Sequence, residues 1–256
     1  MREQNQKIEK AKAALVYYNQ TISEIVRNDY RTADVFKKHG INYCCGGNIS
    51  LQEVCYQRGM DYDTIVNDLN AVSRRIGISS ALNFSEWKLE FLIDYIVNIH
   101  HAYQKIALPS IESSLISFVE GHKKKFPELE KVLELFLHLR RLIPPHNRHE
   151  EEIIFPYIKL IENTHRRKET YGHLFVRTLR KPLSHIENEH GEILTTLKEI
   201  QTLTNQYTFP DNACTNHRVV FNKLREFHDD MLQHNHLEND VLFPRAIELE
   251  KELLQL

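Results

Sequence analysis

His146-Asn147-Arg148-His149-Glu150-Glu151-Glu152-Ile153-Ile154-Phe155-Pro156 and His234-Asn235-His236-Leu237-Glu238-Asn239-Asp240-Val241-Leu242-Phe243-Pro244 share one pattern, H-N-x-x-E-x-x-[IV]-[IL]-F-P, placed 88 residues apart. An internal repeat of this kind has fixed positions, here an imidazole, a carboxylate and an apolar anchor. Residues four apart on a helix share a face. His146 therefore projects with Glu150, and His234 with Glu238. Working outward, His101 precedes His146 by 45 residues and His190 precedes His234 by 44. Each half thus offers one histidine on a helix and a His-x-x-x-Glu pair on the next. Two equivalent halves point to two metal ions with the carboxylates between them.

The donor set selects the metal. It has no thiolate, and its six groups exceed what one tetrahedral zinc ion uses. Iron is the expected metal. A ferric pair carries a formal charge of about +6, of which two carboxylates remove only 2, and a bridging oxo or hydroxo group lowers the remainder. A lone histidine in a bundle is ordinarily packed or solvated; duplication of the spacing separates these six from that background. His100 and His149 read as flanking residues. Glu189, beside His190, reads either as a support or channel group or as plain solvent exposure. In an unbroken helix His122 lies about 31 Å from His101, outside one site.

Around the repeat, periodicity predicts four long helices: from about Glu86 to His122, Pro127 to Asn163, Pro182 to Asn205, and Thr215 to the C-terminus. Pro109 is expected to break or bend the first, and Pro144-Pro145 to kink the second and alter access to the site. No stretch alternates as a half-buried strand does, so the fold class is all-α, an antiparallel four-helix bundle over residues 85–256.

Residues 1–80 read as a separate small helical module. Thr21-Ile22-Ser23-Glu24 and Ser50-Leu51-Gln52-Glu53 have the form of capping boxes. Thr32 is expected to cap a short helix ending near Gly40, Gly59 to stop another, and a further helix to run from Asp63 to Ile76. Ser85, after a linker over 77–85, is expected to cap the first bundle helix. Of the 15 histidines only His39 precedes residue 99, whereas five of the eight glycines lie in the module.

Composition limits the function classes. Apolar residues make up 41%, and Lys+Arg number 33 against Asp+Glu 35, a net charge of −2. That balance disfavours nucleic acid as a partner. No run reaches the roughly 20 apolar residues of a membrane helix. The charged start lacks a signal-peptide core, and four cysteines are too few for a disulfide scaffold. These features predict a soluble, cytoplasmic protein.

Asp34-Val35-Phe36-Lys37-Lys38-His39-Gly40-Ile41-Asn42-Tyr43-Cys44-Cys45-Gly46-Gly47, followed by Leu51-Gln52-Glu53-Val54-Cys55, resembles the N-terminal module of the repair-of-iron-centres proteins. The second part is similar to hemerythrin-like di-iron domains. The resemblance implies iron ligation by His101, His146, Glu150, His190, His234 and Glu238, with both glutamates bridging. It also implies repair of iron–sulfur clusters damaged by nitrosative or oxidative stress, and damaged iron–sulfur proteins as partners. Cys44 and Cys45 are then either thiols that relay or sense iron or packed structural thiols; Cys55 and Cys214 are expected to be inert. A homodimer built through the module is compatible with this reading. Two alternatives stay open: a diatomic gas (O2/NO) binder or sensor, and a di-iron nitric oxide reductase.

Overall fold

A computed structural model describes residues 17–44, 47–73, 82–167 and 180–255. They are all-helical, with extended pairing confined to an isolated antiparallel bridge between Thr21 and Ser50. The chain forms two compact units, one of Met1–Ile78 with Tyr207–Leu224, the other of Ser79–Gln206 with Arg225–Leu256.

The first unit contains α1 (Ile22–Asn28), α2 (Thr32–Lys38), α3 (Leu51–Arg58) and α4 (Tyr62–Ser73). Thr21 forms a full capping box with Glu24, and Ser50 Oγ accepts from the Glu53 amide. Gly59 closes α3 in the left-handed conformation at φ 61°. Thr32 does not cap α2. It is the first helical residue, and its hydroxyl donates to the Asp29 carbonyl at 2.6 Å. The remainder of the expected Asp63–Ile76 helix and most of the 77–85 linker fall outside the described residues. Ile22, Ile25, Phe36, Leu51, Ile65, Leu69 and Val219 form the core of this unit.

Gly47 explains one glycine of the Cys-Cys-Gly-Gly motif. Its carbonyl accepts from Ser23 N at 2.8 Å, and a Cβ here would lie 2.3 Å from Ser23 Oγ and 2.5 Å from the Tyr43 carbonyl. Gly47→Ala must therefore push the backbone at Gly47 away from Ser23 of α1 and from the Tyr43 carbonyl. We expect a loss of about 1–3 kcal/mol, as for other overpacked sites, read as a lowered denaturation midpoint. An unchanged midpoint would contradict this packing.

The second unit is built from α5 (Leu89–Tyr95), α6 (Ala102–His122), α7 (Glu128–His149), α8 (Phe155–Arg167), α9 (Arg180–Leu203), α10 (Thr215–His236, counted with this unit from Arg225) and α11 (Phe243–Gln255). Single π-helical segments join α5 to α6 (Ile96–His101), α7 to α8 (Glu150–Ile154) and α10 to α11 (Leu237–Leu242). The result is four rods. Rods one and two run antiparallel, since Lys123 meets Glu130, Arg140 meets Glu112, and His101 meets Glu151. Rod two runs antiparallel to rod three through His138–Glu192 and His146–Glu189. Rod one runs antiparallel to rod four through His100–Asp230 and the Arg245 bond to the Trp87 carbonyl.

Two local expectations are corrected. Ser85 lies in a short 3-10 turn (Phe84–Glu86), and Lys88 at the start of α5 makes no side-chain cap. Glu162 of α8 supplies the cap instead, accepting from the amides of Leu89 (2.9 Å) and Glu90 (2.8 Å). A carboxylate there satisfies two of the four orphan amides and meets the positive end of the helix dipole. The prolines do not break their helices: α6 continues through Pro109 and α7 through Pro144-Pro145. Pro109 and Pro145 lie on exposed faces, where water can take the carbonyls left without a donor.

The π segments have a packing purpose. From His146 to Phe155, nine residues of regular helix would turn about 900°, leaving Phe155 on the far face. The extra residue of a π turn brings it back. Phe155 and Phe243 are buried in the cluster that fills one end of the bundle with Leu92, Ile96, Ile158 and Leu242. Among the described residues, no helix is long and apolar enough to cross a membrane.

Candidate metal centre

The π segments also carry the chemistry: His101, Glu150 and Glu238 each sit in one, while His146, His190 and His234 project from α7, α9 and α10. All six side chains are buried, and the structure brings them together as two overlapping groups. One is His101, His234, Glu150 and Glu238; the other is His146, His190, Glu150 and Glu238. Glu150 aims Oε2 at His101 Nε2 (3.4 Å) and Oε1 at His146 (3.4 Å) and His190 (3.7 Å). Glu238 aims Oε1 at His234 (3.0 Å) and His101 (4.0 Å), and Oε2 at His190 (3.2 Å). Each histidine thus belongs to one group and each carboxylate to both.

The donors fit a pair of metal ions. All four oxygens of Glu150 and Glu238 are buried without a hydrogen-bond partner, a costly state unless something else neutralises them. Paired Nε2 atoms lie 3.1 Å apart in His101/His234 and 3.0 Å apart in His146/His190. Two ligands at right angles with bonds of about 2.1 Å are spaced about 3.0 Å, whereas a tetrahedral pair is spaced about 3.4 Å. The spacing matches six-coordination, which together with the nitrogen and oxygen donors suits iron better than zinc.

The outer nitrogens show the repeat again. His101 Nδ1 pairs with Glu151 (2.7 Å) and His190 Nδ1 with Asn239 (3.0 Å); residues 151 and 239 are equivalent in the repeat. Phe155 stacks on His101 and Phe243 on His190, at 5.8 and 6.4 Å. His146 Nδ1 pairs with Glu189 at 2.8 Å. Its counterpart His234 instead faces His100, ring centres 5.9 Å apart, and His100 is held by Asp230 at 2.8 Å. Such partners fix ring orientation and raise ligand basicity. Glu189 is therefore placed against His146 rather than left in solvent, and Glu151, Asn239 and Asp230 are partners that spacing alone did not single out. His122 sits far along α6, its Nδ1 against the Phe118 carbonyl.

A cavity of about 310 Å3 reaches this centre beside His101, lined by Gln104, Lys105, Arg140, Pro144, Asn147 and Glu151 among others. Asn147 donates to Gln104 at 2.7 Å while its own oxygen is buried without a partner. Pro144 thus shapes the wall of the cavity without interrupting α7.

Burial opposes charge on His190, but the close carboxylates of Glu150 and Glu238 outweigh it and push the imidazole up to about 10. His101 is raised by the same balance. Burial works against Glu238, yet His234 and His190 hold its carboxyl well below the usual range. In the metal-free protein His190 contributes stability that is full below its ordinary 6.5 and is lost as pH rises toward about 10. Glu238 contributes stability that is present above 4.5 and lost as pH falls below it. In chelator, the melting temperature is therefore expected to fall between about pH 6.5 and about 9. With iron it should rise or hold, because ligation needs unprotonated imidazoles. Parallel melts would show the opposite slopes, and equal slopes would contradict the assignment.

In the first unit, the Cys44 amide donates to Asn42 Oδ1 at 2.9 Å; Cys45 lies outside the described residues. Burial pushes the Cys55 thiol up, in keeping with an inert role. Cys214 comes beside the motif: the Tyr43 hydroxyl reaches Asn216 at 3.4 Å. Burial, then the charges of Asp34, Cys44 and Cys214, push that hydroxyl up to about 12. The sequence distance between residues 44 and 214 concealed this approach.

Comparison with known proteins bears on both units. The family described as "Domain of Unknown function", ScdA_N, matches residues 18–73, and the hemerythrin HHE cation binding domain matches residues 92–246. The chain is 29% identical over 236 residues to the iron-sulfur cluster repair protein YtfE of Escherichia coli O1:K1, and equally to that of Escherichia fergusonii. The match covers 91% of this chain and 99% of either relative. The hemerythrin match spans more than half of the chain and includes all six converging side chains, so with an ScdA_N module ahead of its bundle the chain belongs to the hemerythrin HHE cation-binding family.

Proposed function

We propose that this protein holds a di-iron centre and supplies its iron to iron–sulfur clusters damaged by nitrosative or oxidative stress. The observation that carries the reading is the set of four buried, unpartnered carboxylate oxygens facing four histidine Nε2 atoms in two overlapping groups. The printed function of the YtfE relatives, iron–sulfur cluster repair, supports the cargo. His101 and His234 would hold one ion, His146 and His190 the other, with Glu150 and Glu238 shared. An oxo or hydroxo bridge between the ions belongs to this reading on charge grounds, since two carboxylates leave about +4 uncompensated on a ferric pair. Bound iron supplies the centre with redox activity, and it is also the cargo.

The chain's own groups make release feasible. The two raised histidines, His101 and His190, can accept protons as iron leaves, so the glutamates are not left as bare charges in the core. The cavity beside His101 gives access. It has room for several water molecules, and Lys105, Arg140, Arg148, Glu151 and Glu152 are among the residues that line it. A charged chamber of that size suits a polar carrier of iron better than a bare diatomic gas. Cys44 and Cys45 are the thiols assigned to accept or sense iron. Damaged iron–sulfur proteins are the proposed partners, and the cytoplasm, where such thiols stay reduced, is the proposed compartment.

The test uses an iron–sulfur enzyme inactivated by nitric oxide. Recovery of its activity with iron-loaded protein, exceeding recovery with the same amount of free iron, is the expected result. Equal recovery in both arms would overturn the reading.

A further inference from the structure

The two halves of the centre differ at one position. The residue before the first histidine of each half backs a histidine of the other: Glu189 lies 2.8 Å from Nδ1 of His146, and the equivalent His100 faces His234 with ring centres 5.9 Å apart. What is a carboxylate in one half is therefore a ring in the other. His100 is buried and held by Asp230 at 2.8 Å, and behind it the rings continue. Tyr95 lies 5.6 Å from His100, edge to face, and Trp87 lies 5.4 Å from Tyr95, again edge to face. Each spacing falls within the roughly 4.5–7 Å of a packed aromatic pair. Trp87 is the only tryptophan in the chain. It is half-buried beside the exposed Phe91, and Arg245 donates to its carbonyl at 2.7 Å. A series of rings thus runs from the surface to His234. The rings stacked on His101 and His190 are phenylalanines, which give up an electron far less readily than tyrosine or tryptophan.

We propose that Trp87, Tyr95 and His100 form an electron path between the surface and the His101/His234 position, by which an oxidising equivalent left by hydrogen peroxide leaves the core. Tyrosine and tryptophan are the aromatic side chains that lose one electron most readily, at potentials close to each other, so the vacancy passes between neighbours. His100 is not itself oxidised; its ring fills the space between Tyr95 and His234. Hydrogen peroxide takes up two electrons and two protons as its O–O bond breaks to give two water molecules. A centre with one ferrous and one ferric ion gives one of those electrons, and the ferrous ion becomes ferric. Trp87 gives the other by way of Tyr95, which ends unchanged, and the indole N–H proton passes to water at the surface. A one-electron reductant of the thiol or ascorbate class then returns one electron and one proton to Trp87. The buried imidazoles and the apolar core around Phe155 and Phe243 are spared the oxidation.

The link to the centre rests on the di-iron reading; the step between Trp87 and Tyr95 does not. In metal-free full-length protein, pulse radiolysis in azide oxidises the single tryptophan. Its radical absorbance is expected to decay into that of a tyrosyl radical at a rate independent of protein concentration. Tyr95→Phe keeps the ring and should slow that decay several-fold, whereas Tyr103→Phe, beside Phe227 and off the path, should leave it unchanged. Equal decay in wild type and Tyr95→Phe overturns the path. In the second arm, iron-loaded protein is partly reduced so that ferrous and ferric ions are both present, and is briefly exposed to hydrogen peroxide. Mass spectrometry should find Trp87 oxidised several-fold more than in metal-free protein given the same amount of free ferrous iron, and Tyr95→Phe should lose that excess. No excess in wild type, or the same excess in Tyr95→Phe, overturns the link to the centre. Should the protein take up no iron while radiolysis still shows the Tyr95-dependent step, the di-iron reading falls and the Trp87–Tyr95 step stands.

Discussion

Glu150→Ala is expected to empty both halves of the centre, whereas His146→Ala should empty only one. The asymmetry follows from the geometry, in which Oε1 of Glu150 faces His146 and His190 while Oε2 faces His101. Removing the carboxylate takes an oxygen donor from each ion at once. It also removes one of the two negative charges in a core that must hold about +4 or more. Loss of an indirect support costs about 10–100-fold in metal affinity, so loss of a shared direct ligand should exceed about 100-fold for both ions. Glu238→Ala should behave alike. In His146→Ala, the His101/His234 group keeps its full donor set. Elemental analysis gives the answer: iron absent in the glutamate variants and about halved in the histidine variant. Equal losses in all three would mean that the carboxylates are not shared. Circular dichroism should show unchanged helix content, because the cores above and below the site do not depend on these side chains.

The second large effect is thermal. Without metal, the middle of the bundle holds four imidazoles and two carboxylates with no water-facing side, and metal binding is the term that makes this arrangement favourable. A ligand at 1,000 times its Kd stabilises by about 4 kcal/mol. In a domain of this size each kcal/mol shifts Tm by about 2–4 °C. Stripping the iron is expected to lower the bundle's transition by roughly 8–16 °C per ion at such saturation. Calorimetry with and without chelator measures it, and a transition that does not move would show that the six groups are neutralised some other way.

The all-helical class and the convergence of these six side chains were legible because each depends on short-range pattern. His-x-x-x-Glu is a one-turn relation, and its duplication ties distant helices to one place. The capping box at Thr21 was legible for the same reason. Reading failed where a partner comes from far along the chain. Glu162 caps a helix more than seventy residues before it, so Ser85 looked like the best local candidate. Asn239 and Glu151 orient histidines of other rods. Cys214 reaches the cysteine motif through the fold of Tyr43 onto Asn216. The π segments were hidden because a 3.6-residue period is assumed when faces are assigned. Their one visible trace is proline: Pro156 and Pro244 each occupy the second position after a π turn, where a missing amide costs least.

Those surplus residues act as length gauges. Deleting one residue between Glu150 and Ile154 would restore a regular rod and leave what lies beyond on its present face, whereas deleting two would swing everything beyond by about 100°. Phe155, Ile158 and Ile161, now interior, would face water, and the ring beneath His101 would vanish, although every donor atom remained in the gene product. Side chains along these rods can thus be exchanged far more freely than the rods can change length by more than that one residue.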